Sequence, residues 1–338
     1  MTRIFSGIKP TGHLTLGNYL GAVRRWVEVD QHRADALFSV VDLHALTVAH
    51  DPARVRRLSR QAATLLLAAG LDPALCTVFV QSHVDEHTRL SYLLECTATD
   101  GELRRMIQYK EKSVRANASG ESVRFSLLSY PVLMAADILA YRTDEVPVGD
   151  DQTQHVELTR DLAVRFNDRY GHTFAVPKAT RPPVAARVMD LQDPASKMGK
   201  SHASAAGIVY LLDDADVIRK KIMRAVTDSG DEVVYDPEEH PGVSNLLEIL
   251  AGCADPSGGG EWDPGALAGE YSSYGELKRA TAEAVIELLR PLRERHAVLA
   301  ADPGEVDLVL KDGAERARGM ARPVVDAAYR AVGLLPAG

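Results

Sequence analysis

The stretch Arg3-Ile4-Phe5-Ser6-Gly7-Ile8-Lys9-Pro10-Thr11-Gly12-His13-Leu14-Thr15-Leu16-Gly17-Asn18 decides how the chain starts and which fold it takes. It reads as a short apolar strand, a turn and the start of a helix. Gly7, Gly12 and Gly17 carry no side chain where a ligand or phosphate would approach the backbone. Pro10 stiffens the turn between them. The helix predicted from about Asn18 to Val29 points its first N–H groups and the positive end of its dipole at that loop, which favours an anion there. Taken alone, the pattern is equally that of a plain tight turn.

Outward from this unit, strands and helices alternate. Ala36-Leu37-Phe38-Ser39-Val40-Val41-Asp42 is an apolar run of strand length suited to a buried parallel sheet, and His44 follows its carboxyl end. Ligands of open α/β sheets sit at that end, with a satisfied structural histidine as the alternative for His44. Val55, Leu58, Ala62, Leu65 and Ala69 recur at helical spacing, and Gly70 stops the helix. Thr77–Gln81 is the next strand. The order predicts an α/β, doubly wound parallel-sheet (Rossmann-like) domain.

Residues 86–112 read as helical, and 115–122 as a mobile polar loop. A long apolar helix with Pro131 covers 122–141 and places Tyr130, Met134 and Asp137 on one face. A carboxylate among Leu133, Ile138 and Leu139 is costly unless it meets a donor, whether a ligand or an internal ion pair. Glu145–Val148 and Arg187–Leu191 read as further strands. Gly149-Asp150-Asp151-Gln152 opens a helix running to about Asn167, and its acids also suit plain capping. Lys197-Met198-Gly199-Lys200-Ser201 is a cationic loop, suited to a phosphate chain or to solvent.

Beyond about residue 206 strand signals nearly vanish. Helices are predicted at 213–226, 242–252, 275–301 and 304–332, so the chain divides into a catalytic domain at 1–205, with a helical insertion at about 83–140, and a helical domain at 206–338. Arg219, Lys220, Lys221 and Arg224 form a basic run on the latter, either a nucleic-acid contact or a solvated face.

Composition narrows the function. The 338 residues are 46% hydrophobic and 25% charged, with a net charge of -8, which excludes a general polyanion binder. Cys76, Cys96 and Cys253 are widely spaced, without metal-ligand spacing, and read as ordinary buried thiols of a reducing compartment. No apolar run is long enough for a bilayer, and no secretory signal pattern is present. A cytoplasmic enzyme without a membrane partner is expected.

Together these motifs resemble the bacterial tryptophanyl-tRNA synthetase family of class I aminoacyl-tRNA synthetases, over essentially the full length. Thr15-Leu16-Gly17-Asn18 is similar to the first class I signature in its tryptophan-family form. Lys197-Met198-Gly199-Lys200-Ser201 resembles the second, with Gly199 in place of serine. Gly149-Asp150-Asp151-Gln152 matches the GxDQ run, and Met134 to Leu139 the side-chain pocket helix.

The resemblance implies ATP as a substrate, with Mg²⁺ carried on it, and L-tryptophan and tRNA(Trp) as partners of a homodimer. It implies that Lys9, Thr15, Lys112, Lys197 and Lys200 serve catalysis. Lys9, Pro10, Thr11, Gly17, Asn18, Gly149, Asp150, Asp151, Val188, Met198, Gly199, Ser201 and the 197/200 lysines would bind ATP. Asp137, Met134, Tyr130, Gln152, Phe5, Gly7 and His44 would bind tryptophan, with Asp137 accepting the indole N–H. Lys9 stands where the family often has glutamine, which points to altered recognition of tryptophan-like inhibitors. A tyrosyl enzyme of the same fold, a silent tRNA-binding paralogue and another nucleotidyltransferase are the rival readings. A tyrosyl enzyme would favour a pocket tyrosine paired with an aspartate.

Overall fold

In a computed structural model that describes residues 2–118, 120, 122–149, 152–180, 188–199, 204–230, 232–254 and 263–335, Arg3–Ile8 (β1) is the middle of a five-stranded sheet. Asp35–Val40 (β2) and Thr77–Val80 (β3) lie on one side of it. Glu145–Pro147 (β4) and Lys178–Thr180 (β5) lie on the other, giving the order β3-β2-β1-β4-β5 with every pairing parallel. Chain order reverses between β1 and β4. At such a switch point the loops leave in opposite directions and open a crevice at the carboxyl ends of the strands.

The side-chain period of two loads both faces of the sheet. Ala36, Phe38 and Val40 enter one buried apolar cluster together with Val78 and Val80. Leu37 and Phe79 enter the other with Phe5. Both faces of a parallel sheet must be covered, which is why these strands read as unbroken apolar runs.

The first helix (α1) occupies 16–33 and starts two residues earlier than predicted. Thr15 caps it: its hydroxyl accepts from the Asn18 N–H, and the Asn18 side chain accepts from the Thr15 N–H. Two stretches of wider i→i+5 turns interrupt it, at Tyr19–Val23 and Trp26–Asp30. Such turns bring residues four or five apart into line, and Asn18, Ala22 and Trp26 all face the crevice. Pro52–Ala69 (α2) follows, capped by Asp51 and stopped by Gly70 as read.

The expected 86–112 helix is three pieces: Glu86–Glu95 (α3), a short helix Asp100–Arg105, and Ile107–Ala118 (α4). Helix α4 continues through 115–118, where a loop was expected. Phe125–Leu139 (α5) carries Pro131 in its interior, and Thr153–Tyr170 (α6) follows β4.

Two strand readings need correction. Residues 188–191 form no sheet strand; they join a small loop through the antiparallel Met189–Lys197 bridge. The fifth strand is Lys178-Ala179-Thr180, a short edge with no apolar run to announce it. Cys96 is exposed, not buried as expected.

The later helices are Ala215–Met223 (α7), Pro241–Ala254 (α8), Tyr274–Ala301 (α9) and Pro303–Ala331 (α10), close to their predicted limits. Helix α9 packs on α7, α8 and α2. Helix α10 covers the sheet edge at β3: Val306 and Leu310 belong to one core, and Ala314, Ala317, Val324 and Val325 to the other. Its crossing point is Gly313, where an added Cβ would lie 1.9 Å from the Val78 carbonyl oxygen. Arg316 donates to the Cys76 carbonyl and Arg318 to the His83 carbonyl, and Arg322 pairs with Glu86. An otherwise open strand edge is thereby covered.

Gly313→Ala is expected to cost about 1–3 kcal/mol of stability, through steric overlap with β3. Gly319→Ala on the same helix meets nothing within 4 Å and should be neutral or stabilising by up to about 1 kcal/mol. Denaturant unfolding of the two variants checks the contrast; equal effects would refute the crossing-point account.

Candidate active site

The crevice at the β1/β4 switch point is a cavity of about 430 Å³. Strand β1 contributes Phe5, Gly7 and the following Lys9. Helix α1 contributes Asn18, and the turn after β2 contributes His44 and Thr47. Helix α4 brings Gln108 and Lys112, α5 brings Tyr130, Met134 and Asp137, and the β4–α6 connection brings Gly149 and Gln152. Gly7 lies close to Val41, and a Cβ there would come within 2.7 Å of Val41 Cγ1 and push it aside.

Asp137 is buried, 1% exposed, in the cavity wall. His44 Nε2 lies 2.9 Å from Oδ2, His87 Nδ1 lies 2.5 Å from Oδ1, and the Gln81 amide donates to both oxygens at 2.8 Å. Burial pushes this carboxyl up, but the neighbouring imidazoles His87 and His44 outweigh it and hold the group low, at about 2. An ionised acceptor therefore sits in an apolar wall. Around it Phe5 stacks on Tyr141 with ring centroids 5.7 Å apart, and Met134 is half-buried.

The polar side of the cavity is cationic. The Lys9 ammonium donates to Thr47 Oγ1 at 3.1 Å, and Thr47 in turn donates to the His44 carbonyl. Burial, and then repulsion from Lys112, lowers the Lys9 pKa from 10.5 to about 8. Lys112 donates to Gln108 at 3.0 Å and stands over the Tyr130 ring. The Tyr130 hydroxyl reaches Gln108 and His155. Two ammonium groups that raise each other's energy are a site prepared for an anion.

Eleven of the residues named from sequence thus meet in one cavity: Phe5, Gly7, Lys9, Asn18, His44, Lys112, Tyr130, Met134, Asp137, Gly149 and Gln152. Others lie apart from its lining. Pro10 is buried, and Thr11 is exposed in the turn. Thr15 is fully buried and occupied in capping α1. Gly17 lies against Val188 and Met198, 3.5–3.6 Å from an added Cβ, so the two signature segments touch each other. Met198 donates its N–H to the Val188 carbonyl, which anchors this loop, while Lys197 is exposed and Gly199 half-buried. Asp150, Asp151, Lys200 and Ser201 lie outside the described residues.

The N–H groups at the start of α1 are largely used internally, since Leu16 donates to the Val209 carbonyl and Asn18 to Thr15. The basic run on α7 is also partly paired: Arg219 binds Asp216 and Glu283, and Lys221 binds Asp213. Lys220 and Arg224 are its exposed members. Sequence reasoning missed Gln81, His87 and Tyr141. Each lies on or beside an apolar segment, and their convergence on Asp137 needs the tertiary fold. Among the described residues no cluster of His, Cys, Asp or Glu has the arrangement of a metal site, and no helix is long and apolar enough to cross a membrane.

Residues 1–290 match the family model of class I tRNA synthetases (W and Y). The chain is 77% identical over 336 residues to tryptophan–tRNA ligase 1 of Streptomyces coelicolor, covering 99% of this chain and 98% of that one. The solved tryptophanyl-tRNA synthetase of Mycoplasma pneumoniae is similar at a TM-score of 0.90, with 36% identity over 99% and 98% of the two chains. The Campylobacter jejuni tryptophanyl-tRNA synthetase, solved with ADP and tryptophan, gives 0.82, with 32% identity over 98% and 100%.

The lowered pKa of Lys9 has a measurable sign. Between about pH 8 and 10.5 the unfolded chain holds a proton that the folded chain has lost, so stability rises with pH across that window. At pH 7 the charged group is penalised in the fold. Lys9→Gln should raise Tm at pH 7 by about 2–4 °C, with a gain that shrinks toward pH 10.5. A gain independent of pH would refute this.

Proposed function

The chain belongs to the class I tRNA synthetases that serve tryptophan and tyrosine, on their bacterial tryptophanyl branch, and from that premise we infer how its residues divide the work of a tryptophan–tRNA ligase. The enzyme joins L-tryptophan to tRNA(Trp) at the expense of ATP. The tryptophan carboxylate attacks the α-phosphorus of ATP, and pyrophosphate leaves. A hydroxyl at the tRNA 3′ end then attacks the carbonyl carbon of the adenylate, and AMP leaves.

The attacking carboxylate is already ionised at neutral pH, so the first step needs no general base. What remains is alignment and neutralisation of phosphate charge. Lys9 and Lys112 suit that task. Their mutual repulsion falls when a polyanion enters, so the charge they carry acts on the bound phosphates without reorganisation. Lys197 and Lys200 would reach the leaving pyrophosphate from their loop, as movable point charges. Gly149, Asp150 and Asp151 are assigned to the ribose, Val188 to the adenine, and Mg²⁺ would enter bound to ATP.

The observation that supports a side chain with a ring donor is the ionised Asp137 in the cavity wall with Phe5 and Met134, and the 77% identity to a tryptophan–tRNA ligase favours tryptophan over tyrosine. An indole N–H is a donor only and needs an acceptor. A site built around such an acceptor rejects amino acids lacking the donor by roughly 10⁴–10⁵. Tyr130 and Gln152 would hold the α-amino group. We propose further that the helical region after residue 205 receives the tRNA anticodon, with Lys220 and Arg224 as phosphate contacts. A homodimer and a cytoplasmic location follow from the family resemblance.

Amino-acid-dependent ATP–pyrophosphate exchange tests the reading. Tryptophan alone should support it, and exchange with tyrosine instead would overturn it. In Asp137→Ala, kcat/KM for tryptophan should fall by roughly 10³-fold or more, with the KM for ATP little changed. A near-parental value would remove Asp137 from its role.

A further inference from the structure

Asp137 has more partners than its place in a substrate cavity requires. Three donor nitrogens converge on its two oxygens: Gln81 Nε2 bridges both, His87 Nδ1 lies on Oδ1 and His44 Nε2 on Oδ2. These partners differ in location. Gln81 and His87 are fully buried and absent from the cavity lining, whereas His44 lines it.

The buried partners are themselves locked. The Gln81 carbonyl oxygen accepts from the Leu43 N–H at 3.0 Å, which fixes the amide so that its NH₂ faces Asp137. His87 is held at both nitrogens, with Nδ1 on Asp137 and Nε2 2.6 Å from the Tyr141 hydroxyl. The acceptor-only carboxylate makes Nδ1 the N–H donor. Tyr141 is fully buried between Phe5 and Phe79, and burial, then the nearby Asp137 charge, push its phenol well above the usual range. It stays a phenol, and its hydroxyl holds the far side of the His87 ring while Nδ1 faces Asp137.

We propose that Gln81 and the Tyr141–His87 pair are positioning residues that fix the Asp137 carboxylate from behind, leaving His44 as the one donor that an incoming ring N–H displaces. Specificity then comes from an exchange of donors. A ring with an N–H replaces the His44 bond one for one. A ring of the same shape without it must either leave His44 in place, where it blocks the site, or leave Asp137 one bond short. The proposal rests on the tryptophan reading above and adds to it the residues that make Asp137 selective.

The test compares tryptophan with 3-(benzothiophen-3-yl)alanine, an isostere whose sulfur replaces the ring N–H, in pyrophosphate exchange by the full-length enzyme. The parent should favour tryptophan strongly. His87→Leu should raise the KM for tryptophan about 10–100-fold, since bonds to charged groups are the strong class, and should narrow the discrimination ratio by a similar factor, with the KM for ATP unchanged. His87→Asn, which keeps a donor near the Nδ1 position, should restore most of the ratio. Tyr141→Phe should narrow it by about 3–10-fold and serves if His87→Leu fails to fold. A merely structural role would lower Tm and leave the ratio intact, and that result overturns the proposal. Absence of tryptophan-dependent exchange in the parent would instead overturn the functional reading itself.

Discussion

A single ionised carboxylate in an apolar wall is the constraint around which this molecule is arranged. Uncompensated, such a charge costs several kcal/mol in a folded interior. Its three partners, and the tyrosine behind one of them, come from four different places in the chain. His44 follows β2, Gln81 follows β3, His87 is on α3, and Tyr141 lies just beyond the end of α5, the helix that carries Asp137. Parallel strands supply the means, because their carboxyl ends all emerge on one side of the sheet. The sheet order places β1, β2 and β3 side by side, so the turns after β2 and β3 reach the same point. The fold therefore delivers both donors to the acid without long loops.

The second constraint is electrostatic and opposite in sign. Lys9 and Lys112 occupy the polar side of the same cavity, and their repulsion adds to burial in making the Lys9 charge expensive. The carboxylate and the ammonium pair are kept apart rather than neutralising each other: Asp137 is satisfied by imidazole and amide donors, and Lys9 by the Thr47 hydroxyl. A direct Lys9–Asp137 pair would cancel both fields. Separation leaves a negative pole suited to a ring donor and a positive pole suited to phosphate, which is the polarity that a substrate with an indole at one end and a carboxylate at the other requires.

Much of this was legible in residue order, for identifiable reasons. Strands β1, β2 and β3 are buried on both faces and so appear as apolar runs, and α2 ends at a glycine that adopts the left-handed conformation. Asp137 stood out because a charge on an apolar helix face conflicts with its surroundings. The failures have equally local causes. The run 187–191 reads like a strand, yet its described part bonds to its own loop, to Gly207 and Val226 and to the Asn245 side chain, and not to a sheet neighbour. Strand β5 is a three-residue edge whose first two residues are exposed, without the alternation that marks a strand. Gln81 and His87 lie 56 and 50 residues from Asp137, and no periodicity encodes a contact at that range. The basic run on α7 suggested a free cationic face because the sequence hides Glu283, which arrives from α9 to pair with Arg219.

The contact between the two signature segments supplies the last link. Gly17 at the start of α1 lies against Val188 and Met198, so the cationic loop is anchored by an apolar residue while Lys197 beside it stays exposed. Met198 is buried and bonded through its N–H to Val188, which fixes the base of the loop. Gly199 follows immediately and is half-buried. Burial of Met198 against Gly17 and its bond to Val188 are then what hold this segment against the start of α1.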